Sequence, residues 1–282
     1  MKIIRTSLKM QSIALGLRRK GKSIGFVPTM GALHEGHLSL IRCARRENDI
    51  VIVSIFVNPK QFGPKEDYLR YPRIFSRDRE LCGKERVDYL FNPDVRDMYR
   101  ANHYAYVDLV KLSSIMCGVS RPGHFRGVAT VVAKLFNITQ PVRAYFGMKD
   151  FQQFRIVKKM AEDLDFPVDV KGLSTVREAD GLAMSSRNRY LSPAERRHSI
   201  RIYKSLQQAR DLLEYSKTRS VRGIKQSVRS LLKGIPKVKI DYIEIRDAGT
   251  LEPLKDKIKL PVVIAVAAKI GNTRLIDNIV VK

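Results

Sequence analysis

The sequence predicts an α/β fold: a mostly parallel sheet with helices on both faces, followed by a smaller C-terminal α/β domain. Three observations carry this. Ile50 to Val57 is β-branched almost throughout, as suits a parallel strand buried on both faces. Strand-sized apolar runs alternate with helically spaced ones from Ile24 to Val170, the pattern of helices laid over a parallel sheet. After about Val176 that alternation stops; two helical patterns follow, and three β-rich runs close the chain.

In chain order, Ile24 to Val27 is a short apolar run ending at Pro28, so it reads as a strand and a breaker. Leu38, Leu40, Ile41 and Ala44 then have helical spacing. The strand at Ile50–Val57 stops at Asn58-Pro59. A helix is expected over Ser76–Lys84, a strand over Val87–Phe91 and another over Tyr104–Asp108. Gly127–Phe136 has helical apolar spacing, Ala144–Phe146 is strand-like, Asp150–Asp163 is helical, and Val168–Val170 extends the alternation. A loop, Arg177 to Asn188, leads into helical patterns at Pro193–Tyr215 and Val221–Leu232. The closing β runs are Val238–Ile245, Leu260–Ala267 and Leu275–Val281. The expected domains are therefore residues 1–176 and 177–282. In a sheet of the first kind, ligands bind beyond the carboxyl ends of the strands.

Composition narrows the function classes. The 282 residues are 44% hydrophobic, enough for one large or two ordinary domains. No apolar run approaches the roughly 20 residues that span a bilayer, and no secretory signal is visible, so no membrane partner is expected and the chain reads as cytoplasmic. Cys43, Cys82 and Cys117 are scattered, without a CxxC pair, which suits free thiols rather than a disulfide framework or a zinc site. Fifty-three basic residues against 28 acidic ones give a net charge of +25 and a pI near 10.2. That balance favours anionic partners. The basic residues are dispersed, however, in clusters such as Arg18-Arg19-Lys20, Arg45-Arg46 and Arg196-Arg197. They read as a solvated surface, and no nucleic-acid partner is expected.

The chemistry concentrates in two segments. The first is Pro28-Thr29-Met30-Gly31-Ala32-Leu33-His34-Glu35-Gly36-His37, between a strand and a helix. Backbone N–H groups and the helix dipole there favour phosphate. Gly31 and Gly36 permit close backbone approach. His34 and His37 are three apart and share a face once the helix begins. They can donate hydrogen bonds to phosphate oxygens as charge builds. The structural alternative is one histidine capping the helix and the other packing. A zinc helix of the His-Glu-x-x-His type is excluded, because Leu38 stands four after His34. The second segment is Gly181-Leu182-Ala183-Met184-Ser185-Ser186-Arg187-Asn188, where two hydroxyls beside a guanidinium suit a triphosphate.

Together these segments resemble the nucleotidyltransferase superfamily that includes class I aminoacyl-tRNA synthetases. A longer ordered set is similar to the pantothenate synthetase (pantoate–β-alanine ligase) family. It comprises Pro28 to His37, Ser54 to Phe62, Tyr71-Pro72-Arg73, Ser120 to Gly127, Phe146 to Gln153 and Asp180 to Asn188, with Ile243 to Asp247 and Arg274 to Asn278 near the C-terminus.

The resemblance implies a Rossmann-like sheet with a C-terminal lid domain, and ATP-dependent joining of pantoate to β-alanine with Mg2+. Pantoate would be adenylated, with loss of pyrophosphate, and β-alanine would then displace AMP. It implies that Met30 to His37 line the ATP site, with Gly147-Met148-Lys149-Asp150, Val176 (through its backbone) and Met184, Ser185, Ser186 and Arg187. His37, His34 and Lys149 would be catalytic, and Asp150 would help hold Mg2+. Gln61 and Gln153 would bind pantoate, with Asn58, Val131 and Val132 beside them. A homodimer is implied as well. Arg77-Asp78 departs from the family's pattern of paired polar or acidic residues, which weakens any metal role for that pair. Two other readings compete: an adenylyltransferase with another acceptor, which the Gln61/Gln153 pair argues against, and a nucleic-acid-binding protein, which would need a basic stripe interleaved with aromatics.

Overall fold

The computed structural model describes residues 1–64, 66–215, 220–255 and 258–282. The chain divides into two compact units, residues 1–148 with 156–174, and residues 149–155 with 175–282.

The first unit is built on a six-stranded sheet in the order β1-β4-β3-β2-β5-β6, every pairing parallel. Its strands are β1 (Lys2–Ile4), β2 (Ile24–Thr29), β3 (Ile50–Ile55), β4 (Tyr89–Phe91), β5 (Arg143–Gly147) and β6 (Asp169–Leu173). The main helices are α1 (Ser7–Arg19), α2 (Glu35–Glu47) and α3 (Phe75–Lys84). Three single turns follow, α4 (Val95–Met98), α5 (Val110–Ser113) and α6 (Cys117–Ser120), before α7 (His124–Thr139). α8 (Phe151–Asp163) runs on from β5.

Side chains alternate across the strands, so each strand feeds two cores. Val27, Val51, Val53, Leu90 and Tyr145 meet Leu38, Ile41 and Ala44 of α2 and Cys82 of α3. On the opposite face, Phe26 packs edge-on to Phe136 of α7, with ring centroids 6.5 Å apart. Burial on both faces explains the unbroken apolar run in β3. The chain order reverses where β2 lies between β3 and β5. Such a switch point is where α/β sheets bind ligands, beyond the carboxyl ends of the strands. Thr29 and Gly147 end their strands there.

Three segments differ from the sequence reading. Tyr104–Asp108 is not a strand. Its alternation is real, but it joins no sheet edge, and Tyr104 is 83% exposed. The segment is instead tied to α7 by a bond from Val107 N–H to Thr130 Oγ1 at 3.0 Å. Conversely, β1 and α1 escape sequence patterning. β1 has three residues, too few for a period, and α1 fully buries only Met10 and Ala14.

The second unit contains α9 (Pro193–Tyr215), α10 (Val221–Lys233) and the antiparallel sheet β7 (Lys239–Asp247), β8 (Val262–Ile270), β9 (Thr273–Val281). Leu206, Ala209, Val228 and Leu232 from the helices close on Ile243, Ile245, Ile264 and Val266 from the strands. Among the described residues no helix is long and apolar enough to cross a membrane.

Candidate active site

The segment leaving β2 is held by side chains rather than by regular structure. Thr29 Oγ1 donates to the carbonyl of Ser54 at 2.7 Å and accepts from Gly31 N–H at 3.1 Å. Gly31 (φ +83°) and Ala32 (φ +50°) are both left-handed. A side chain at Gly31 would put its Cβ 2.9 Å from Asp78 Oδ2, so glycine is needed twice over. Ala32 carries a Cβ, and the left-handed form costs such a residue about 1–2 kcal/mol. Asp78 of α3 holds it there. Its two carboxylate oxygens accept from Ala32 N–H and Leu33 N–H, each at 2.8 Å, and the residue is 1% exposed. Asp78 thus organises the loop, a role the sequence reading missed. The available signal was an acid on an apolar stripe with Phe75, Leu81 and Cys82.

His34 is the N-cap of α2, and His37 is its third residue. His34 Nδ1 accepts from Gly36 N–H at 3.2 Å, and His37 Nδ1 accepts from His34 N–H at 3.4 Å. This is a capping box made of two histidines in place of the usual Ser/Thr and Glu/Gln. Their ring centroids are 4.1 Å apart. A Cβ at Gly36 would lie 2.9 Å from His34 Cε1, so the packed ring excludes any larger residue. A backbone N–H can only donate, so each Nδ1 is an acceptor and each neutral ring carries its proton on Nε2. Glu35 is turned to Arg42, whose hydrogen bonds hold its carboxyl below the usual carboxylate range. Any contribution of Glu35 to an anion comes from its backbone.

The turn after β3, Pro59–Gln61, supplies Gln61. Asn58, 1% exposed, donates from Nδ2 to Gln61 Oε1 and to the carbonyl of Gly127, both at 3.1 Å. Its Oδ1 accepts from Tyr99 O–H at 2.8 Å and from Lys60 N–H at 3.2 Å. The Asn58 side chain thus makes four hydrogen bonds and orients Gln61. With Oε1 occupied, Gln61 Nε2 faces Met30 Sδ at 2.9 Å.

The main chain of Gln61 is held too. Its carbonyl accepts from His124 Nδ1–H at 2.7 Å and from Arg121 Nη2 at 3.3 Å. Arg121 grips Glu66 through two bonds of 2.6 Å. His124 and Arg121 therefore belong to the Gln61 turn. Val131 and Val132 are 6% and 4% exposed. Val131 shares the face of Gly127, four residues earlier, whereas Val132 is turned a further 100° or so.

The second unit carries the other group. Lys149 and Asp150 lie in a 3-10 turn that opens α8, with Lys149 Nζ 3.8 Å from Asp150 Oδ2. Gln153 follows in the first turn of that helix. Val176 accepts from Met184 N–H at 3.0 Å, and Arg177 pairs with Ala183, so the loop is a small hairpin. Arg196 braces it by bonding Glu178 and Asp180, each at 2.6 Å. Ser185 caps the 3-10 turn Ser186–Tyr190 by accepting from Arg187 N–H at 3.3 Å.

Comparison with known proteins decides the family. A sequence model described as pantoate-beta-alanine ligase matches residues 2–280. The chain belongs to this family. It is similar to the pantothenate synthetase of Thermotoga petrophila, 57% identical over 278 residues, 99% of each chain. That of a Sulfurihydrogenibium species is 55% identical over 280 residues, again 99% of each chain. Among solved structures, the Thermus thermophilus pantothenate synthetase superposes with a TM-score of 0.92 at 45% identity, covering 99% of both chains. The Francisella tularensis pantoate-beta-alanine ligase, described as complexed with beta-gamma ATP and beta-alanine, gives 0.80 at 36% identity, covering 99% and 97%. As a member of the pantoate–β-alanine ligase family, the chain is a ligase.

Proposed function

We propose that this ligase condenses pantoate with β-alanine in two steps at the expense of ATP. The pantoate carboxylate attacks the α-phosphorus, the bond to pyrophosphate breaks, and pantoyl adenylate forms. The amine of β-alanine then attacks the acyl carbon, and AMP leaves with the electron pair of the broken C–O bond. Family membership and the Francisella relative, described with beta-gamma ATP and beta-alanine, support this reading.

The observation that carries it is the histidine capping box. His34 and His37 bring two imidazole rings to a helix N-terminus, where negative charge building on phosphate is stabilised without reorganisation. Lys149, Ser185, Ser186 and Arg187 serve the same triphosphate in this reading. The backbone of Val176 takes the adenine, Met184 closes on the triphosphate with its neighbours, and Gly147 and Met148 lead the chain into the ATP segment. Gln61 presents amide hydrogens to pantoate oxygens, and Gln153 supplies the second amide. Asp150 fits Mg2+, which is ordinarily held by one or two carboxylates together with substrate phosphates and water. Bound there, Mg2+ would offset phosphate charge. The same reading makes the protein a cytoplasmic homodimer, which light scattering of the purified chain checks for assembly.

The deciding assay supplies ATP, pantoate and β-alanine and omits each in turn. Full turnover is expected to need all three and to release AMP and pyrophosphate; ADP and phosphate as products would sink the adenylate mechanism. His37→Ala is expected to lower kcat by about 100-fold or more, with a much smaller change in KM for ATP. Activity within about threefold of wild type, an effect near 0.6 kcal/mol, would remove His37 from the phosphate role.

A further inference from the structure

Lys149 and the loop from Val176 to Arg187 are distant in sequence, yet both are fastened to one point on β9. Asn278 Nδ2 donates to the carbonyl of Lys149 at 2.8 Å. Its neighbour Asp277, with a side chain 2% exposed, accepts from Arg177 at 2.6 and 3.0 Å in bidentate fashion. Arg177 passes the constraint on. Its Nη1 also donates to the carbonyl of Gly181 at 3.1 Å, and its guanidinium lies 3.7 Å from the ring centroid of Tyr203. Gly181 adopts φ +94°, and a Cβ there would come within 2.5 Å of Tyr203 Cδ1. The base of the loop is thus clamped between α9 and β9, and the strand that clamps it also holds the turn of Lys149.

A buried ion pair is seldom retained for stability alone, because the desolvation of both charges offsets much of their attraction. Here the pair fixes geometry between two segments that the ATP reading assigns to the same phosphates. We propose that Asp277 and Asn278 are positioning residues for ATP. Neither touches substrate. Asn278 acts through the backbone of Lys149, and Asp277 acts through Arg177 on the loop that ends in Ser185, Ser186 and Arg187. The proposal rests on the ATP roles given above to Lys149 and that loop.

The test compares wild type, Asn278→Ala, Asp277→Asn, Lys149→Ala and the double variant Lys149→Ala/Asn278→Ala, all as full-length chains. For each, kcat, the KM values for ATP and β-alanine, and Tm are measured. Asn278→Ala and Asp277→Asn are each expected to lower kcat/KM for ATP by about 10- to 100-fold, the scale of a small misplacement of a reacting group. The KM for β-alanine should stay within about twofold, a split that simple destabilisation would not produce. In the Lys149→Ala background, Asn278→Ala should cause no further loss of activity while still lowering Tm, because coupled residues are not additive.

Wild-type kinetics in both single variants, with only a lower Tm, would overturn the proposal, as would full additivity in the double variant. If Asn278→Ala does not fold, Asp277→Asn, which keeps the side-chain shape, decides by the same kinetic split. Wild-type kinetics in Lys149→Ala would instead overturn the ATP role of Lys149, and this proposal with it. A defect in Lys149→Ala without one in Asn278→Ala overturns the proposal alone.

Discussion

Asp78 and His34 show how single side chains hold a strained turn and the helix that follows it. Two left-handed residues in succession, Gly31 and Ala32, turn the chain from β2 toward α2. The Asp78 carboxylate satisfies the two N–H groups that this turn would otherwise bury unpaired. An unsatisfied buried donor costs about 1–3 kcal/mol. Asp78→Ala is therefore expected to lower Tm and to cut activity at least as severely as an equally destabilising core variant such as Val53→Ala. Equal stability loss with normal kcat in Asp78→Ala would show that the loop keeps its geometry without the carboxylate. At the same scale, both histidines of the pair serve the helix N-terminus through Nδ1, where the sequence suggested one capping and the other packing.

Elements set these residues in place through close approach. Gly127 of α7 is the clearest case. A Cβ there would lie 2.1 Å from the carbonyl oxygen of Lys60 and 2.8 Å from the nitrogen of Gln61. Both are backbone atoms of the turn that carries Gln61, so neither can swing aside. Gly127→Ala should force α7 and the turn apart, at a cost of about 1–3 kcal/mol. The functional expectation is a raised KM for pantoate with the KM for ATP little changed. An unchanged KM for pantoate would mean that the turn moves with the helix and keeps Gln61 aligned. α1 shows a different dependence on context. Thr6 offers no side-chain cap, and Asp97, 90 residues beyond Ser7, accepts from Ser7 N–H at 2.8 Å instead. A cap supplied from so far along the chain leaves no local signature, which is why the helix was not legible in its own residues.

At the scale of the whole molecule, charge dominates. Several carboxylates are held below their ordinary range by basic partners. Burial pushes the Glu66 carboxyl up, but the hydrogen bonds and charge of Arg121 outweigh it. Arg196 acts likewise on Asp180, and Lys171 on Glu47. The unfolded chain therefore takes up protons at a higher pH than the folded one. Their stabilisation is complete above the ordinary carboxylate range and is lost as pH falls through the lower folded values. Protonating the 28 acids also leaves 53 basic groups to repel one another. Tm should hold steady from about pH 7 to 5, fall steeply below about pH 4, and fall less in added salt. A Tm unchanged between about pH 7 and pH 3 would show that these pairs contribute nothing net.

The sequence by itself determined the class of fold and pointed to two segments for a phosphate role. Ile50–Val57 suited a doubly buried strand, and the His34/His37 spacing excluded a zinc helix while keeping a phosphate role open. Those signals are local: periodicity, spacing, and residue type at a strand-to-helix turn. Tertiary structure alone decided who supports the site. It denied Tyr104–Asp108 a sheet edge, spent Asn58 on orienting Gln61, and brought Asp78, His124 and Asp277 to partners 45 to 100 residues away. The reason is physical. A residue that binds substrate is displayed in a motif, whereas one that holds the motif is buried, and its partners are chosen by packing, which no window of sequence contains.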